Sequence, residues 1–492
     1  MSRAQRQAIG LSLLLPLLLA GLACASLPPA PADTRIIIFH FNDVHGKIDN
    51  FAKVASIVER ERGGGDVYLF CAGDNFTGNP VIDQYQPPGE PMLVLLNRLG
   101  LDVMTPGNHE FDFGLDNLTR FTAQARFPML SANIRAPRGV LPKLQPSLVL
   151  KTKDGVRIAV FGLIQTEAES GLPSTHPDRV RGLRFSEPLQ EAMKFRKLRK
   201  GNHVFLALTH LGFDIDRVLA ERMPQLDAII GGHSHTRIDP AEMVNGVLIA
   251  QAGSDNRFLG RVELRIRGGR VVEKKGTLID LKEWREEDPE IKAMIARFNQ
   301  NPAFERVIVE TPFALEGKDA LGSLMTDAMR TIHGLDVAFQ NEGGIRLRRL
   351  DEKITLKDVY TLDPFGNQVV EIAMTAEEIR GLIRDSFGKG NEIDLQVSGL
   401  SYTVRTESDL RIKEIDLRAP DGRPLPEGRT YKVGVSSYVA SSYNFPHRDP
   451  GRALGSTTAE ALIRFLESRP DFSIYRGIQR AFQDPPGRND RY

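Results

Sequence analysis

Cysteine is scarce in this sequence, with Cys24 and Cys71 the only two among 492 residues. A small secreted scaffold held together by disulfides needs several cysteine pairs, so that class of protein is excluded. Cys71 lies in the apolar run "DVYLFCAG". A cysteine in such a run behaves as a small hydrophobic residue, and we expect it to be buried in the core.

Neither sign of charge predominates, because 64 Lys and Arg face 63 Asp and Glu for a net charge of +1. Proteins that bind nucleic acid mainly through its phosphates carry a basic excess, so we expect no nucleic-acid partner. Hydrophobic residues make up 41% and charged residues 26%, which is typical of soluble globular domains. A chain of this length is too long for one core, so we expect two large domains.

A hydrophobic stretch at residues 9–20 follows two arginines and precedes the small residues of "GLACAS". It is too short to span a membrane and has the layout of a secretory signal, predicted over residues 1–25. Cleavage before Cys24 would leave a lipid-modified cysteine, whereas cleavage after Ala25 would release a free protein. Residues 26–33 would form a tether. We therefore expect export, as a periplasmic protein or a cell-envelope lipoprotein whose only membrane contact is a lipid on Cys24.

Apolar runs alternate with helical patterns over residues 34–283. Near-continuous apolar strands separated by helices are typical of sheets covered on both faces, so the pattern predicts a layered α/β domain. The charged segment 284–302 carries apolar residues at helical spacing and is predicted to be a linker helix. A second domain is expected over residues 303–492, where capping boxes at Thr375 and Thr457 predict the starts of two helices.

Five of the predicted strands end in side chains that bind metals. These residues are Asp43 and His45, Asp74, Asn108 with His109 and Asp112, His210, and finally His233 and His235. Taken singly, each is more simply explained as a turn former or a surface residue. However, five of the ten histidines lie at these strand ends, and ligands bind at the carboxyl edge of α/β sheets. The positions together therefore predict a metal site.

Four histidines, two aspartates and one asparagine are too many ligands for one tetrahedral zinc ion. Shared between two divalent ions, with Asp74 as the bridge, they give each ion four protein ligands. Ions roughly 3.5–4 Å apart suit in-line attack on a phosphoryl group, and mixed nitrogen and oxygen ligands suit Mn, Zn or a similar metal. His109, oriented by Asp112, is predicted to be the general acid for the leaving oxygen.

The motifs "FNDVHG", "AGDNFTG", "GNHEFD", "THLG" and "GGHSHT" resemble the ordered signature of calcineurin-like metallophosphoesterases, in the form found in the exported 5′-nucleotidase / UDP-sugar hydrolase family. The resemblance implies a four-layer α/β/β/α metallophosphoesterase domain followed by a smaller α/β substrate-binding domain. It implies one metal ion held by Asp43, His45, Asp74 and His235, a second held by Asp74, Asn108, His210 and His233, and a catalytic dyad of His109 and Asp112. The implied reaction is attack of metal-bound hydroxide on a nucleotide, as in a 5′-nucleotidase or a nucleotide-sugar or cyclic-nucleotide hydrolase.

The resemblance extends into the second domain through "FQNEGGIRL" and "DPFGNQVV". It implies that the substrate is held by Asn341, Arg346, Phe365, Asn367 and Tyr438. An arginine beside paired glycines can form a fork with phosphate, and an exposed phenylalanine offers a face to a nucleobase. The sequence departs from the family pattern at Ser442, Tyr443 and Asn444, which replace a Gly-Gly-Asp turn, and at Ala320 and Ser323, which replace asparagines.

Two other functions are compatible with these residues. Sulfate-ester or thiosulfonate hydrolysis would use the same two-domain plan. The altered residues of the second domain are compatible with such a substrate. A non-catalytic nucleotide-binding lipoprotein would keep the fold but lose the chemical residues, all of which are present. The expected partner in the preferred case is a small-molecule phosphate ester, and the oligomeric state stays undetermined.

Overall fold

The structure, a computed structural model of the chain, describes residues 33–484. The predicted signal segment, Cys24 and residues 26–32 of the predicted tether lie outside the described residues. No helix between residues 33 and 484 is long and apolar enough to cross a membrane. Helices and strands occur together in both halves of the chain, which confirms the predicted α/β class.

The first domain alternates strands with helices. Its strands are β1 (Thr34–Phe41), β2 (Asp66–Cys71), β3 (Val103–Met104), β4 (Met129–Leu130), β5 (Ile134–Arg135), β6 (Leu144–Gln145), β7 (Ser147–Lys151), β8 (Arg157–Ile164), β9 (Arg184–Phe185), β10 (Val204–His210), β11 (Ala228–Ile230), β12 (Glu242–Val244), β13 (Val247–Ala250), β14 (Phe258–Arg267) and β15 (Arg270–Asp280). Its helices are α1 (Phe51–Arg62), α2 (Pro80–Asp83), α3 (Glu90–Leu99), α4 (Leu115–Gln124), α5 (Pro188–Met193) and α6 (Phe213–Arg222), with 3-10 turns at His109–Phe111, Pro177–Val180 and Arg196–Arg199.

Two sheets face each other in this domain. One has the strand order β15-β14-β1-β2-β3-β4-β6 and the other has the order β12-β13-β11-β10-β8-β7. The fully buried side chains of Ile36, Phe70, Val160 and Leu206 belong to the core between the sheets. Helices α1, α3 and α4 cover the outer face of the first sheet, and α5 and α6 cover that of the second. The four-layer α/β/β/α arrangement is therefore confirmed, and Cys71 is fully buried as expected.

The strand directions bring the predicted ligands to one place. Strands β1, β2 and β3 run parallel in the first sheet, and β8, β10 and β11 run parallel in the second. Each set therefore ends at one edge of its sheet. Asp43 connects the two edges. Its main-chain oxygen accepts a hydrogen bond from the N–H of Asp255 at 2.8 Å, and its side-chain Oδ2 accepts one from the N–H of His233 at 2.9 Å.

The helix predicted over residues 284–302 is shorter in the structure, where α7 covers Pro289–Asn299. It begins there because the Asp288 side chain accepts a hydrogen bond from the N–H of Ile291 and Pro289 occupies the first turn. Ile291 and Ile295 bury its apolar face in the core beside α1 and α3. The helix therefore belongs to the first domain by its packing, and a 3-10 turn at Pro302–Glu305 leads into the second domain.

The second domain begins after that turn. Its strands are β16 (Val307–Glu310), β17 (Leu315–Glu316), β18 (Val337–Asn341), β19 (Arg349–Leu350), β20 (Lys353–Thr355), β21 (Gln368–Thr375), β22 (Leu395–Ser398), β23 (Ser401–Thr406), β24 (Ile412–Arg418), β25 (Thr430–Ser436), β26 (Arg452–Thr457) and β27 (Ala481–Asp484). Its helices are α8 (Lys318–His333), α9 (Leu356–Leu362), α10 (Ala376–Gly390), α11 (Ser437–Ser442) and α12 (Thr458–Glu467), with 3-10 turns at Glu342–Gly344 and Phe472–Tyr475.

A five-stranded sheet in the order β22-β18-β25-β21-β26 organises the second domain. Helices α8 and α12 share one apolar cluster, and α10 shares another with the sheet and the hairpin of β23 and β24. Both predicted capping boxes are confirmed, since Thr375 pairs with Glu378 and Thr457 pairs with Glu460 at the starts of α10 and α12. This domain places its loops after β18 and before β21 against the ligand edge of the first domain.

Candidate metal centre and substrate cavity

The loops after the ligand-bearing strands have an unusual backbone. Left-handed φ angles occur at Asp43 (49°), His45 (47°), Asp74 (56°), His233 (82°) and His235 (56°). Each such non-glycine residue costs on the order of 1–3 kcal/mol and persists only where the surroundings hold it. Here the N–H groups of Asp43 and His45 donate to the carbonyls of Gly73 at 2.9 Å and Asp74 at 3.0 Å. The loops after β1 and β2 therefore brace each other in the conformation that collects these side chains.

Asp43, His45 and His235 form the first ligand cluster. Nε2 of His45 lies 3.0 Å from Nε2 of His235, and Oδ1 of Asp43 lies 3.4 Å from the same His235 nitrogen. Ligands held 2.0–2.1 Å from a tetrahedral zinc-type ion are about 3.3 Å apart. The spacing of these three atoms therefore fits a divalent cation.

Asp74, His210 and His233 form the second cluster. Nδ1 of His210 donates to the carbonyl of Ala72 at 2.6 Å, which leaves Nε2 to act as the ligand. This buried Nε2 makes no hydrogen bond with any residue between 33 and 484, and it lies 3.1 Å from Oδ2 of Asp74. A buried nitrogen without a hydrogen bond beside a carboxylate is what a metal ligand requires, so these residues fit a cation as well.

The remaining predicted ligand, Asn108, joins the second cluster through its side-chain oxygen, which lies 3.1 Å from Nδ1 of His233. Its amide nitrogen donates to the carbonyl of Ser174 at 3.1 Å, so the oxygen is the atom turned towards the histidine. Asp74 also groups with His45 and His109 and thus lies between the two clusters. All seven predicted ligands therefore meet at one site, with Asp74 in the predicted bridging position.

The protonation states of the histidines differ within the site. Burial, together with the positive charge of Arg346, holds the pKa of His45 well below its ordinary value. Burial and the neighbouring His210 lower the pKa of His233 to about 4. Both imidazoles are therefore neutral near pH 7, as metal ligation requires. Burial opposes protonation of His210 too, but the Asp74 carboxylate outweighs it and raises the pKa to about 10, so a metal ion that binds Nε2 would have to displace a proton from it.

His109 and Asp112 form the predicted pair beside the clusters. Nδ1 of His109 lies 2.6 Å from Oδ2 of Asp112, and that carboxylate also accepts hydrogen bonds from the hydroxyls of Thr77 at 2.7 Å and Thr175 at 3.1 Å. Burial lowers the pKa of His109, but the charges of Asp74 and Asp112 outweigh it and raise the pKa above its ordinary value. The imidazole is therefore protonated more readily than usual, which suits a proton donor.

Glu110 has a role that the sequence analysis did not predict. Its carboxylate is fully buried and accepts hydrogen bonds from the N–H groups of Asp74 at 2.8 Å, Asn75 at 2.8 Å and Gly107 at 2.6 Å. Gly107 has no room for a side chain, because a Cβ there would lie 2.2 Å from Oδ1 of Asp74. Glu110 thus fixes the two loops that carry Asp74 and Asn108. The motif "GNHEFD" shows that an acidic residue is present at position 110. The sequence pattern does not show which of the polar side chains in the motif points into the protein.

A cavity of about 690 Å³ adjoins this site, and its walls come from both domains. All five predicted substrate residues line it, namely Asn341, Arg346, Phe365, Asn367 and Tyr438. Nη2 of Arg346 lies 3.2 Å from Nδ1 of His45, and the Phe365 ring centroid lies 5.9 Å from that of His109. The cavity therefore opens directly onto the candidate metal centre.

The departures from the family pattern have a structural counterpart around Tyr443. This residue is 9% exposed and its hydroxyl donates to Oδ2 of Asp394 at 2.5 Å. Its ring meets that of Tyr438 edge to face, with centroids 6.3 Å apart. Tyr443 therefore supports the aromatic wall of the cavity from behind, a contact that the sequence did not predict.

Comparison with known proteins agrees with this division of the chain. The family model described as calcineurin-like phosphoesterase matches residues 36–237, and the one described as 5′-nucleotidase, C-terminal domain, matches residues 301–446. A 5′-nucleotidase of Vibrio cholerae is 27% identical over 93% of this chain and 95% of its own length. A crystal structure of a 5′-nucleotidase precursor from Thermus thermophilus superposes with a TM-score of 0.78 at 25% identity, covering 91% of this chain and 99% of that one.

A further relative is much longer than this chain. The trifunctional nucleotide phosphoesterase protein YfkN of Bacillus subtilis is 28% identical over 89% of this chain, which spans 34% of that protein. The two family models, the V. cholerae relative and the T. thermophilus structure nevertheless agree on one plan over both domains. The chain therefore belongs to the 5′-nucleotidase family, in which a calcineurin-like phosphoesterase domain is followed by a 5′-nucleotidase C-terminal domain.

Proposed function

We propose that this protein is a two-metal phosphohydrolase that removes phosphate from nucleotides. The observation that carries the proposal is the position of Asp74 between two ligand clusters, directly beside a cavity lined by Arg346 and Phe365. A phosphate at the clusters and a nucleoside in the cavity would then belong to one bound molecule. The names of the relatives, nucleotidases and a nucleotide phosphoesterase, support the same substrate class.

The first cluster would hold one ion through Asp43, His45, Asp74 and His235, and the second would hold another through Asp74, Asn108, His210 and His233. When bound, two divalent ions would offset the charge of the phosphoryl oxygens and make a nearby water more acidic. Mixed nitrogen and oxygen ligands suit Mn, Zn or a similar metal.

The protein's own groups would bind and protonate the substrate. The Arg346 guanidinium, next to His45, is placed to form a fork with phosphate oxygens. His109, kept in orientation by Asp112, would donate its proton to the leaving oxygen. The faces of Phe365 and Tyr438 would hold a nucleobase, and the side chains of Asn341 and Asn367 would hydrogen-bond its polar groups or the ribose.

The test is a panel of hydrolysis rates with the soluble segment 33–492. The substrates are 5′-AMP, UDP-glucose, 2′,3′-cyclic AMP, p-nitrophenyl phosphate and p-nitrophenyl sulfate, each with Mn²⁺ or with EDTA. We expect metal-dependent release of phosphate from a nucleotide at a rate well above that of the generic phosphate ester. The rate should fall in the variant Asp74→Asn, whereas the exposed Asp154→Asn should match the wild type.

Three outcomes would redirect the proposal. Cleavage of the generic phosphate ester alone would retain the metal centre and reject the nucleotide as substrate. Cleavage of the sulfate ester in preference to every phosphate would favour the sulfur-ester hydrolase, which uses the same ligands. Binding of nucleotides without turnover of any ester would favour the non-catalytic binding protein.

Export is a separate proposal that depends on residues 1–25 alone. Their two arginines, apolar centre and small residues before Cys24 have the layout of a secretory signal. Expression of the full chain in a bacterium, followed by fractionation and labelling with a palmitate analogue, tests it. Label that is lost in Cys24→Ser indicates a lipoprotein, unlabelled protein in the periplasm indicates cleavage after Ala25, and protein confined to the cytoplasm refutes export.

A further inference from the structure

One wall of the substrate cavity carries an arginine that has no partner. Arg179 lines the cavity from the first domain, and Gln368 lines it from the second. The Arg179 side chain is half-buried, and within residues 33–484 its guanidinium makes no hydrogen bond or ion pair. Arginine carries five N–H donors and no acceptor, so this guanidinium is free to bind acceptor atoms of a molecule in the cavity. Its position facing a ligand cavity suggests that the acceptor comes with the substrate.

The residues beside Arg179 have contacts of their own. Asp178 pairs with Arg181 and does not turn to Arg179. The N–H of Arg179 donates to the carbonyl of His176 at 2.9 Å, within the 3-10 turn Pro177–Val180, and Val180 anchors that turn in the core. The main chain is therefore held in place while the guanidinium remains available.

Arg179 is close to the loop that carries the catalytic pair. A Cβ built on Gly114, whose φ is 83°, would lie 3.5 Å from Nη1 of Arg179, so this nitrogen packs against the Gly114 backbone. Gly114 follows Asp112 by two residues, a span of at most about 7 Å. One substrate molecule can therefore reach both the candidate metal centre and Arg179, which lines the cavity without contacting the metal ligands among the described residues.

We propose that Arg179 determines specificity by binding paired acceptor atoms at the remote end of the substrate. This deepens the proposed function and rests on it. Arginine has five donors and no acceptor, so it selects an acceptor-only group. In a nucleotide, that chemistry is offered by the O6 and N7 edge of guanine or by the oxygens of a second phosphate, whereas adenine presents a donor beside its acceptor.

The experiment compares the affinities for 5′-GMP, 5′-AMP and adenosine 3′,5′-bisphosphate by titration calorimetry in EDTA, where the proposed hydrolysis does not take place. The variants are Arg179→Met, Arg179→Lys and the control Arg181→Met, whose side chain is 80% exposed and does not line the cavity. The wild type and the control should bind GMP or the bisphosphate about 10-fold or more tightly than AMP. Arg179→Met should abolish that preference, and the control should retain it.

The lysine variant separates the two sources of acceptor atoms. The wild type's stronger affinity for GMP or for the bisphosphate identifies the source, and lysine, which keeps the charge without the planar fork, should weaken that preference without abolishing it. Equal affinities of the wild type for all three nucleotides, or a preference that survives in Arg179→Met, would overturn the proposal. Hydrolysis of p-nitrophenyl phosphate is measured in parallel. If the wild type hydrolyses no ester, the proposed function fails, while the binding preference still decides the role of Arg179.

Discussion

Nη2 of Arg346 lies 3.2 Å from Nδ1 of His45, so a side chain of the second domain reaches a candidate metal ligand of the first. The contact is repeated nearby, where the Phe365 ring of the second domain faces His109. A substrate phosphate bound at the candidate metal centre would therefore contact Arg346 only when the two domains are arranged as in this structure. The candidate site therefore depends on the interface between the domains as well as on the candidate metal ligands.

The first prediction concerns Arg346. Its replacement by methionine removes the charged donors but keeps much of the side-chain volume. A hydrogen bond to a charged group contributes about 1.5–3 kcal/mol, so we expect kcat/KM for the nucleotide to fall by about 10- to 100-fold. The exposed Arg348→Met is the control and should match the wild type. An unchanged kcat/KM in Arg346→Met would show that phosphate is bound elsewhere.

The second prediction concerns the His109 and Asp112 pair. Asp112→Asn removes the charge that orients and supports the imidazolium, and we expect kcat to fall by about 100-fold or more at unchanged metal content. Thr77→Val removes only the hydroxyl that donates to the same carboxylate, so its loss of kcat should be smaller. Steady-state kinetics and metal analysis of both variants check this order. A larger defect in Thr77→Val would contradict the role given to Asp112.

The grouping of the ligands could be predicted from the sequence because parallel strands end at a common edge. A strand such as "RIIIFHF" is recognisable from its composition, and the residues after it are then placed by the sheet rather than by local preference. This is why Asp43 and His210, 167 positions apart in the chain, could be assigned to one site. The pattern of apolar strands and helices predicted a layered α/β domain, and the family resemblance implied its four layers.

The contacts that depend on side-chain direction could not be predicted in this way. Glu110 points inward and Arg179 reaches the cavity because of turns whose geometry leaves no periodic signal. Tyr443, which stands in place of a turn glycine, donates its hydroxyl to Asp394 and is not among the residues that line the cavity. The linker helix was predicted too long because the charged residues 285–288 continue the helical composition, whereas the Asp288 cap sets its start.

The third prediction follows from Glu110. Glu110→Gln replaces one acceptor oxygen by a donor that faces backbone N–H groups, so buried hydrogen bonds are lost. We expect a loss of about 2–4 kcal/mol in the free energy of unfolding and a 10- to 100-fold weaker affinity for Mn²⁺. Denaturant unfolding and metal titration measure the two effects. The exposed Glu283→Gln is the control, and wild-type metal affinity in Glu110→Gln would refute the positioning role.

The fourth prediction is that metal ions stabilise the fold. Ions that bind only the folded chain add about 4 kcal/mol at a concentration 1,000 times the dissociation constant. Removal by EDTA should therefore lower the Tm of the wild type, and Mn²⁺ should restore it. Asp74→Asn, which alters the residue shared by both clusters, should show a much smaller difference between the two conditions. Equal Tm values with and without metal in the wild type would argue against ion binding at this site.

The fifth prediction uses a buried carboxyl away from the metal ligands. Burial raises the pKa of Asp363 from 3.8 to about 6, and its Oδ2 has no hydrogen-bond partner among the described residues. The folded state therefore holds this proton more tightly than the unfolded chain does. The resulting stability is fully present below about pH 3.8 and is lost as the pH rises through about 6.

Two pKa units correspond to on the order of 3 kcal/mol, which the wild type should lose between pH 4 and pH 8 through this residue. Asp363→Asn cannot ionise, so its free energy of unfolding relative to the wild type should rise over the same interval. Denaturant unfolding at both pH values gives that difference directly, and the exposed Asp154→Asn serves as the control. If the free energy of unfolding had the same pH dependence in the wild type and in Asp363→Asn, Asp363 would ionise as readily in the folded protein as in the unfolded chain. Water would then reach its carboxyl group.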